Sequence, residues 1–201
     1  MKDKRYAIYG GSFDPIHIGH IKLAESAVRE CSLDKLIFMP AYVSPFKQDR
    51  KVTDGKDRCG MIKAALSYNK AFCLSTYELR KGGTSYTIET LRYWKDLLGG
   101  ELYFVLGFDS LVQLDQWYKG EEIIRNYHLI TARRPGSDDT AGLKIIDSFR
   151  ERYRADITLL DMAPVDASST EIRTRINDGR PISDLVLPGV EEYIIGHDLY
   201  R

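Results

Sequence analysis

Cysteine is scarce in this chain of 201 residues. Its three copies, Cys31, Cys59 and Cys73, are an odd number without Cys-x-x-Cys spacing, so they indicate reduced thiols rather than a disulfide framework. No hydrophobic run approaches about 18 residues, the length that a membrane-spanning helix needs. No secretory segment precedes the first apolar run, and we therefore expect a cytoplasmic protein without a membrane partner.

Charge of one sign is not in excess either. Lysine and arginine together number 29, aspartate and glutamate also number 29, and both signs are mixed along the chain. Without a basic surplus we expect no nucleic-acid partner, although a local basic pocket is compatible with this balance. Histidine occurs four times, and His128 and His197 have no cysteine near enough in sequence to suggest a zinc site.

Short apolar runs alternate with segments of helical periodicity. The runs, typical of strands buried on both faces, are 6–9, 36–39, 71–74, 102–106, 128–132 and 157–160. Apolar residues recur at helical spacing within 21–31, 61–65 and 88–98. This alternation predicts an α/β fold with a doubly wound parallel sheet. From the length we expect a single domain over residues 1–201, with a C-terminal helical segment over 168–201.

The stretch GGSFDPIHIGH, residues 10–20, directly follows the first predicted strand. Gly10 and Gly11 leave room for a sharp turn whose N–H groups can meet a ligand oxygen. Gly19 gives space at the next helix start, where the helix dipole favours an anion. Glycines also follow first strands for structural reasons alone. His17 and His20 can reach the same group, however, and two histidines at this place favour hydrogen bonds to a phosphate.

A second polar stretch, ASSTEIRTRI at 167–176, predicts another helix start. Ser168 or Ser169 can cap this helix, while its first N–H groups and the hydroxyl of Thr170 face an anion. Arg173 lies one turn further along the same face. An ordinary serine-capped helix with solvated arginines would show the same pattern, so this stretch alone leaves both interpretations open.

Together the two stretches resemble the HxGH and SSTxIR signatures of a nucleotidyltransferase superfamily, which implies a Rossmann-like nucleotidyltransferase fold that binds the phosphates of ATP. Class I aminoacyl-tRNA synthetases share the HxGH core, but no counterpart of their lysine-rich loop is visible here. The resemblance implies His17, His20 and Arg173 as catalytic residues. It implies an ATP site of Gly10, Gly11, Ser12, Phe13, His17, His20, Gly107, Asp109, Ser169, Thr170 and Arg173. Asp109 follows a predicted strand, where its carboxylate can accept hydrogen bonds from ribose hydroxyls. It can also cap the helix that follows.

Further stretches resemble, in order, those of the nicotinate-nucleotide adenylyltransferases, so the resemblance covers nearly the whole chain. They are SPFK (44–47), SYTIETL (85–91), LGFDSLVQLDQW (106–117), ARRPG (132–136) and LPGVEEYI (187–194). SPFK resembles a PPHK loop whose lysine meets the mononucleotide phosphate. Lys47 is present, whereas Phe46 replaces the histidine. Glu78, Arg80 and Lys81 we interpret as loop charges.

The resemblance implies a mononucleotide site of Lys47, Ser85, Tyr86, Thr87, Trp117, Tyr118 and Arg134. In it Trp117 stacks on the nicotinate ring, and N–H groups of Tyr118 and of the Tyr86–Thr87 turn donate to the carboxylate. An aromatic face suits a flat ring, and N–H donors prefer a carboxylate to a carboxamide. Considered alone, Trp117 would more often be a packing residue.

The resemblance implies adenylyl transfer from ATP to nicotinate mononucleotide, giving nicotinate adenine dinucleotide and pyrophosphate in NAD biosynthesis, with Mg²⁺ bound alongside ATP. The attacking phosphate oxygen is already an anion, so catalysis needs alignment and charge stabilisation rather than a general base. Alternatives are the same chemistry on nicotinamide mononucleotide, phosphopantetheine or a polyol phosphate, and a nucleotide-binding protein without turnover. A homo-oligomer is compatible with the sequence.

Overall fold

The structure is a computed structural model that describes residues 4–43, 52–132, 140–163 and 165–201. Its strands are β1 (Arg5–Gly11), β2 (Lys35–Pro40), β3 (Phe72–Leu74), β4 (Glu101–Val105), β5 (His128–Ala132) and β6 (Ile157–Leu160). Its helices are α1 (Ile18–Glu30), α2 (Gly55–Leu66), α3 (Tyr77–Lys81), α4 (Thr87–Leu98), α5 (Phe108–Leu111), α6 (Gly120–Asn126), α7 (Thr140–Tyr153), α8 (Ser169–Asn177) and α9 (Pro188–Gly196), with a 3-10 turn at Leu114–Gln116.

The described strands pair in parallel in the order β3-β2-β1-β4-β5-β6. This order confirms the predicted doubly wound α/β fold, and each predicted apolar run coincides with a strand to within a few residues. The order reverses between β1 and β4, which pair directly through Tyr9 and Val105. In a doubly wound sheet the connections diverge at such a point and leave a crevice at the carboxyl ends of the strands.

The sheet buries side chains on both faces, because successive residues of a strand point to opposite sides. Along β1, Ala7 and Tyr9 belong to one core cluster, together with residues of α1, α2, α8 and α9. Ile8 belongs to the other cluster, with residues of α4, α6 and α7. Continuous apolar runs are therefore what this fold requires of its central strands.

The C-terminal helices follow from local signals. Ser168 caps α8, since its Oγ accepts from the N–H of Glu171 at 3.1 Å, and Pro188 occupies the first turn of α9, where its missing N–H costs nothing. Helix α9 packs closely on α2, with the Tyr193 ring against Gly60. The Tyr193 hydroxyl donates to Asp57 at 3.2 Å. No helix in the described part of the chain is long and apolar enough to cross a membrane.

Gly120 closes the turn that carries Trp117. Its N–H donates to the Trp117 carbonyl at 2.8 Å, and a Cβ at this position would lie 1.8 Å from the carbonyl oxygen of Leu114. We therefore expect Gly120→Ala to lower the free energy of unfolding by about 1 to 3 kcal/mol, as for other overpacked sites. Urea denaturation measures this. Gly196→Ala is the control, because a Cβ there meets nothing within 4 Å; equal stability of both variants would contradict the expectation.

Candidate active site

Two adjoining cavities open at the carboxyl ends of β1 and β4. The larger has a volume of about 450 Å³ and the smaller about 250 Å³. Residues Gly10–Ser12 and Asp109–Ser110 line both of them. The backbone that leaves the first strand is thus a shared wall, and ligands in the two cavities would meet across it at the crevice that this sheet order creates.

The larger cavity brings together all of the residues predicted to bind ATP. The loop after β1 and the start of α1 form one side, α8 forms another, and the loop after β4 completes it. The predicted residues that line it are Gly10, Gly11, Ser12, Phe13, His17, His20, Gly107, Asp109, Ser169, Thr170 and Arg173. The N-cap of α5 is Gly107, and Asp109 lies in the first turn of this helix. Asp109 therefore does not cap the helix, which was one of its two possible roles.

His17 and His20 stack at the start of α1, with ring centroids 3.7 Å apart. The His17 backbone N–H donates to Nδ1 of His20 at 3.2 Å. A neutral ring that accepts at Nδ1 carries its proton on Nε2, so Nε2 of His20 is the nitrogen able to donate to a ligand. Gly19 permits this arrangement, since a Cβ there would lie 3.0 Å from Nδ1 of His17.

Helix α8 holds the turn after β1 from the opposite side of the cavity. Ser169 Oγ donates to the Pro15 carbonyl at 2.9 Å. The Arg173 guanidinium donates to the Asp14 carbonyl through Nη1 and to Thr170 Oγ1 through Nη2 at 3.1 Å. The two sequence motifs are therefore joined by direct contacts, and the Arg173 side chain lines the cavity.

Arg58 of α2 also contacts the turn after β1. The sequence did not predict a role for this residue. Its side chain is buried, with 2% exposure, and its Nη1 donates to the Ser12 carbonyl at 2.8 Å. Burial lowers the pKa of this guanidinium, while the nearby Asp14 carboxylate raises it. A buried cation is stabilised by such a partner, so Arg58 and Asp14 form a charged support under the turn.

The smaller cavity is lined by aromatic side chains and by a helix start. Trp117 lies edge-on to Phe104, with ring centroids 6.5 Å apart, and Tyr86 lies against Tyr118 at 4.7 Å. The N-cap residue of α4, Tyr86, makes no side-chain capping hydrogen bond, and the start of a helix is a favourable place for an anion. Of the predicted mononucleotide residues, Ser85, Tyr86, Thr87, Trp117 and Tyr118 line this cavity.

Glu78 corrects our interpretation of its segment as a charged loop. It lies on the short helix α3, is buried, and lines the smaller cavity. Its Oε1 accepts from the Thr90 hydroxyl at 2.6 Å, and Ser85 forms a further hydrogen bond with the carboxyl. Burial raises the pKa of Glu78, which these donors partly offset. The carboxyl thus ties α3 to α4 and fixes the helix start beside the cavity.

Three residues named from the sequence lie outside the described residues. They are Lys47 and Phe46 of the SPFK stretch, and Arg134 of the ARRPG stretch. Their assignments therefore stay predictions. Within the described ranges no group of three or more His, Cys, Asp or Glu side chains is arranged to hold a metal ion.

Comparison with known proteins adds to this geometry. The cytidylyltransferase-like family model matches residues 8–175. A protein of Clostridium perfringens named as a probable nicotinate-nucleotide adenylyltransferase is 39% identical over 199 residues, covering 98% of each chain. One of Caldicellulosiruptor bescii with the same name is 38% identical over 197 residues, covering 98% of this chain and 99% of its own.

Solved structures share the fold. The nicotinic acid mononucleotide adenylyltransferase of Plasmodium falciparum, complexed with NaAD, superposes with a TM-score of 0.77 and 22% sequence identity. The match covers 98% of this chain and 97% of that one.

Proposed function

The chain belongs to the cytidylyltransferase-like family and to the nicotinate-nucleotide adenylyltransferases, and from this premise we propose that it is an adenylyltransferase of NAD biosynthesis. It transfers the adenylyl group of ATP to nicotinate mononucleotide. The products are pyrophosphate and nicotinate adenine dinucleotide. The observation that carries the proposal is the pair of cavities that share the Gly10–Ser12 wall. One is lined by histidines, a cation and a helix start, and the other by aromatic rings. A reaction that joins two nucleotides needs two sites in this relation.

The triphosphate of ATP occupies the larger cavity in this proposal. His17 and His20 donate to the α- and β-phosphates, while Thr170 and Arg173 hold the β,γ side. Negative charge builds on the leaving pyrophosphate, and donors that already point at it need no reorganisation. Ser12, Phe13, Gly107 and Ser169 shape the remaining wall, and Asp109 accepts from the ribose.

Magnesium enters with ATP as part of the substrate. Mg²⁺ usually keeps several waters and binds through few protein ligands plus substrate phosphates, so it does not require the larger acidic group that the described residues lack. The ion would neutralise charge on the phosphates. Positioning of the triphosphate is left to the histidines, Thr170 and Arg173.

Nicotinate mononucleotide occupies the smaller cavity. Trp117 stacks on its ring, the N–H groups of Tyr118 and of the Tyr86–Thr87 helix start donate to its carboxylate, and Lys47 binds its phosphate. Ser85 and Arg134 complete the proposed mononucleotide site. The phosphate oxygen then attacks the α-phosphorus where the two cavities adjoin.

We further propose that residues 1–201 act as one domain, which the packing of α9 on α2 supports. We also propose that the protein is cytoplasmic.

Trp117→Ala should raise KM for nicotinate mononucleotide by roughly tenfold to a hundredfold, because stacking of one ring on an aromatic side chain contributes about 1 to 3 kcal/mol. KM for ATP should stay unchanged. Steady-state kinetics with each substrate varied in turn measure both constants. Trp94→Phe is the control, since Trp94 packs against the core cluster on its face of the sheet. An unchanged KM for the mononucleotide in Trp117→Ala would refute stacking.

The acceptor itself is tested by pyrophosphate release from MgATP with a panel of phosphates. Nicotinate mononucleotide should support turnover, whereas phosphopantetheine and glycerol 3-phosphate should leave the rate at the level without acceptor. Faster release with one of the other two would keep the chemistry and overturn the substrate. Binding of ATP without release for any acceptor would favour a nucleotide-binding protein instead.

A further inference from the structure

The carboxylate of Asp14 is an unusual feature of the larger cavity. Asp14 is only 5% exposed, yet it lines the space in which we place the triphosphate. A carboxylate in that position opposes an anionic substrate unless it is held away from it by strong partners. The partners of Asp14 therefore bear directly on how well the cavity accepts ATP.

One hydrogen-bond partner of this carboxylate is Tyr200, in the segment that follows α9. The Tyr200 hydroxyl donates to Asp14 Oδ1 at 2.8 Å, across 186 positions of sequence. The same hydroxyl lies 3.8 Å from Met61 Sδ on α2 and is also hydrogen-bonded with the side chain of Thr53. Burial, together with the neighbouring Asp14 carboxylate, raises the pKa of Tyr200, so the phenol keeps the proton that it donates.

The backbone on both sides of Asp14 is held by other groups. Arg58 binds the Ser12 carbonyl and Arg173 binds the Asp14 carbonyl. Neither of these hydrogen bonds reaches the carboxylate oxygens. The Asp14 carboxylate is thus attracted by the Arg58 cation and receives its directional hydrogen bond from Tyr200, whereas the hydrogen bonds from the two arginines set the path of the turn.

We propose that Tyr200 is a positioning residue for the ATP site, which holds the Asp14 carboxylate against the C-terminal segment and away from the triphosphate. The proposal rests on the function proposed above. Without the hydroxyl, the carboxylate keeps the attraction of Arg58 but loses its directional hydrogen bond, and it can turn toward Arg173, where it competes with the phosphates for that cation. The C-terminal segment that follows α9 then contributes to substrate binding although it lies behind the cavity wall.

Tyr200→Phe tests the proposal, because it removes one oxygen and keeps the ring. We expect kcat/KM for ATP to fall roughly tenfold or more, the scale of loss that misplacement in an active site produces, mainly through a higher KM for ATP. KM for nicotinate mononucleotide should stay within about twofold, since Asp14 is not among the described residues lining the smaller cavity.

Tyr193→Phe is the matched control. Tyr193 also presents its ring to α2 from the C-terminal part of the chain, and its hydroxyl also donates to an aspartate, Asp57, but away from the cavity. Tyr193→Phe loses one hydrogen bond, whereas Tyr200→Phe loses those with Asp14 and Thr53, so the melting temperature should fall in both variants and further in Tyr200→Phe. Only Tyr200→Phe should change the kinetics with ATP. A purely structural role for Tyr200 would lower stability without this difference.

A double-mutant cycle with Asp14→Ala identifies the path of the effect. If Tyr200 acts through Asp14, Tyr200→Phe costs nothing further in the Asp14→Ala background, because contacting residues are not additive. Three outcomes would each overturn the proposal. The first is that Tyr200→Phe keeps kcat/KM for ATP within about twofold of wild type, and the second is that Tyr193→Phe loses as much kcat/KM for ATP as Tyr200→Phe does. The third is that Tyr200→Phe causes its full loss of kcat/KM in the Asp14→Ala background as well. Wild-type protein that forms no dinucleotide would instead refute the proposed function, and the two failures are thereby distinguished.

Discussion

His20→Ala should lower kcat for dinucleotide formation by about 10² to 10³, the loss expected when one donor to a developing negative charge is removed. The ring lies at the start of α1, stacked on His17, and its Nδ1 is occupied by the His17 backbone N–H. In the proposed mechanism Nε2 is therefore the donor to the phosphate, and alanine removes it. Quench-flow or steady-state measurement of pyrophosphate release at saturating substrates gives kcat directly.

His197→Ala is the control for this experiment. His197 is exposed at the end of α9 and stacks on Tyr193 at 3.9 Å, so losing its ring should leave kcat unchanged. A loss of less than about fivefold in His20→Ala, with the variant folded, would remove His20 from the catalytic residues. The other histidine of the motif would then have to carry the stabilisation alone.

Nicotinate mononucleotide should be preferred over nicotinamide mononucleotide by roughly 10⁴ in kcat/KM, because a site built from hydrogen-bond donors strongly rejects a ligand that leaves them unpaired. The donors that we propose are backbone N–H groups at the start of α4, whose N-cap residue Tyr86 makes no side-chain capping hydrogen bond, and of Tyr118 in the turn after Trp117. A carboxylate presents acceptors to all of them. A carboxamide presents its NH₂ to at least one.

The comparison requires both mononucleotides under the same MgATP concentration, with the initial rate of pyrophosphate release recorded over a range of each. Nicotinate and nicotinamide mononucleotide match in ring and phosphate, so the ratio isolates the carboxylate. Equal efficiency, or a preference for the amide, would keep the fold and the chemistry while overturning the assignment of these N–H groups.

The sheet and the phosphate motifs were predictable because their signals are local. Each strand is an apolar run of the right length, and Ser168 caps α8 through a residue three positions away. The positions of the HxGH and SSTxIR motifs after predicted strands or at predicted helix starts place them at one edge of a parallel sheet. Their direct contact through Arg173 and the Asp14 carbonyl follows from that topology.

The supports behind the site were not predictable in the same way. Helix α3 has five residues, too few to show a repeating helical pattern of apolar residues. Glu78 therefore looked like a loop charge although it is buried. Arg58 and Tyr200 contact the turn after β1 from 46 and 186 positions away. A single sequence carries no signal for such pairs, because neither spacing nor periodicity links them.

The most direct test of the account is to identify the product formed by the purified protein from MgATP and nicotinate mononucleotide, with chromatography and mass spectrometry of the nucleotides and a parallel assay for pyrophosphate. We predict nicotinate adenine dinucleotide and pyrophosphate in equimolar amounts, with neither formed when one substrate is left out. Pyrophosphate without the dinucleotide, or binding of both nucleotides without any product, would contradict it.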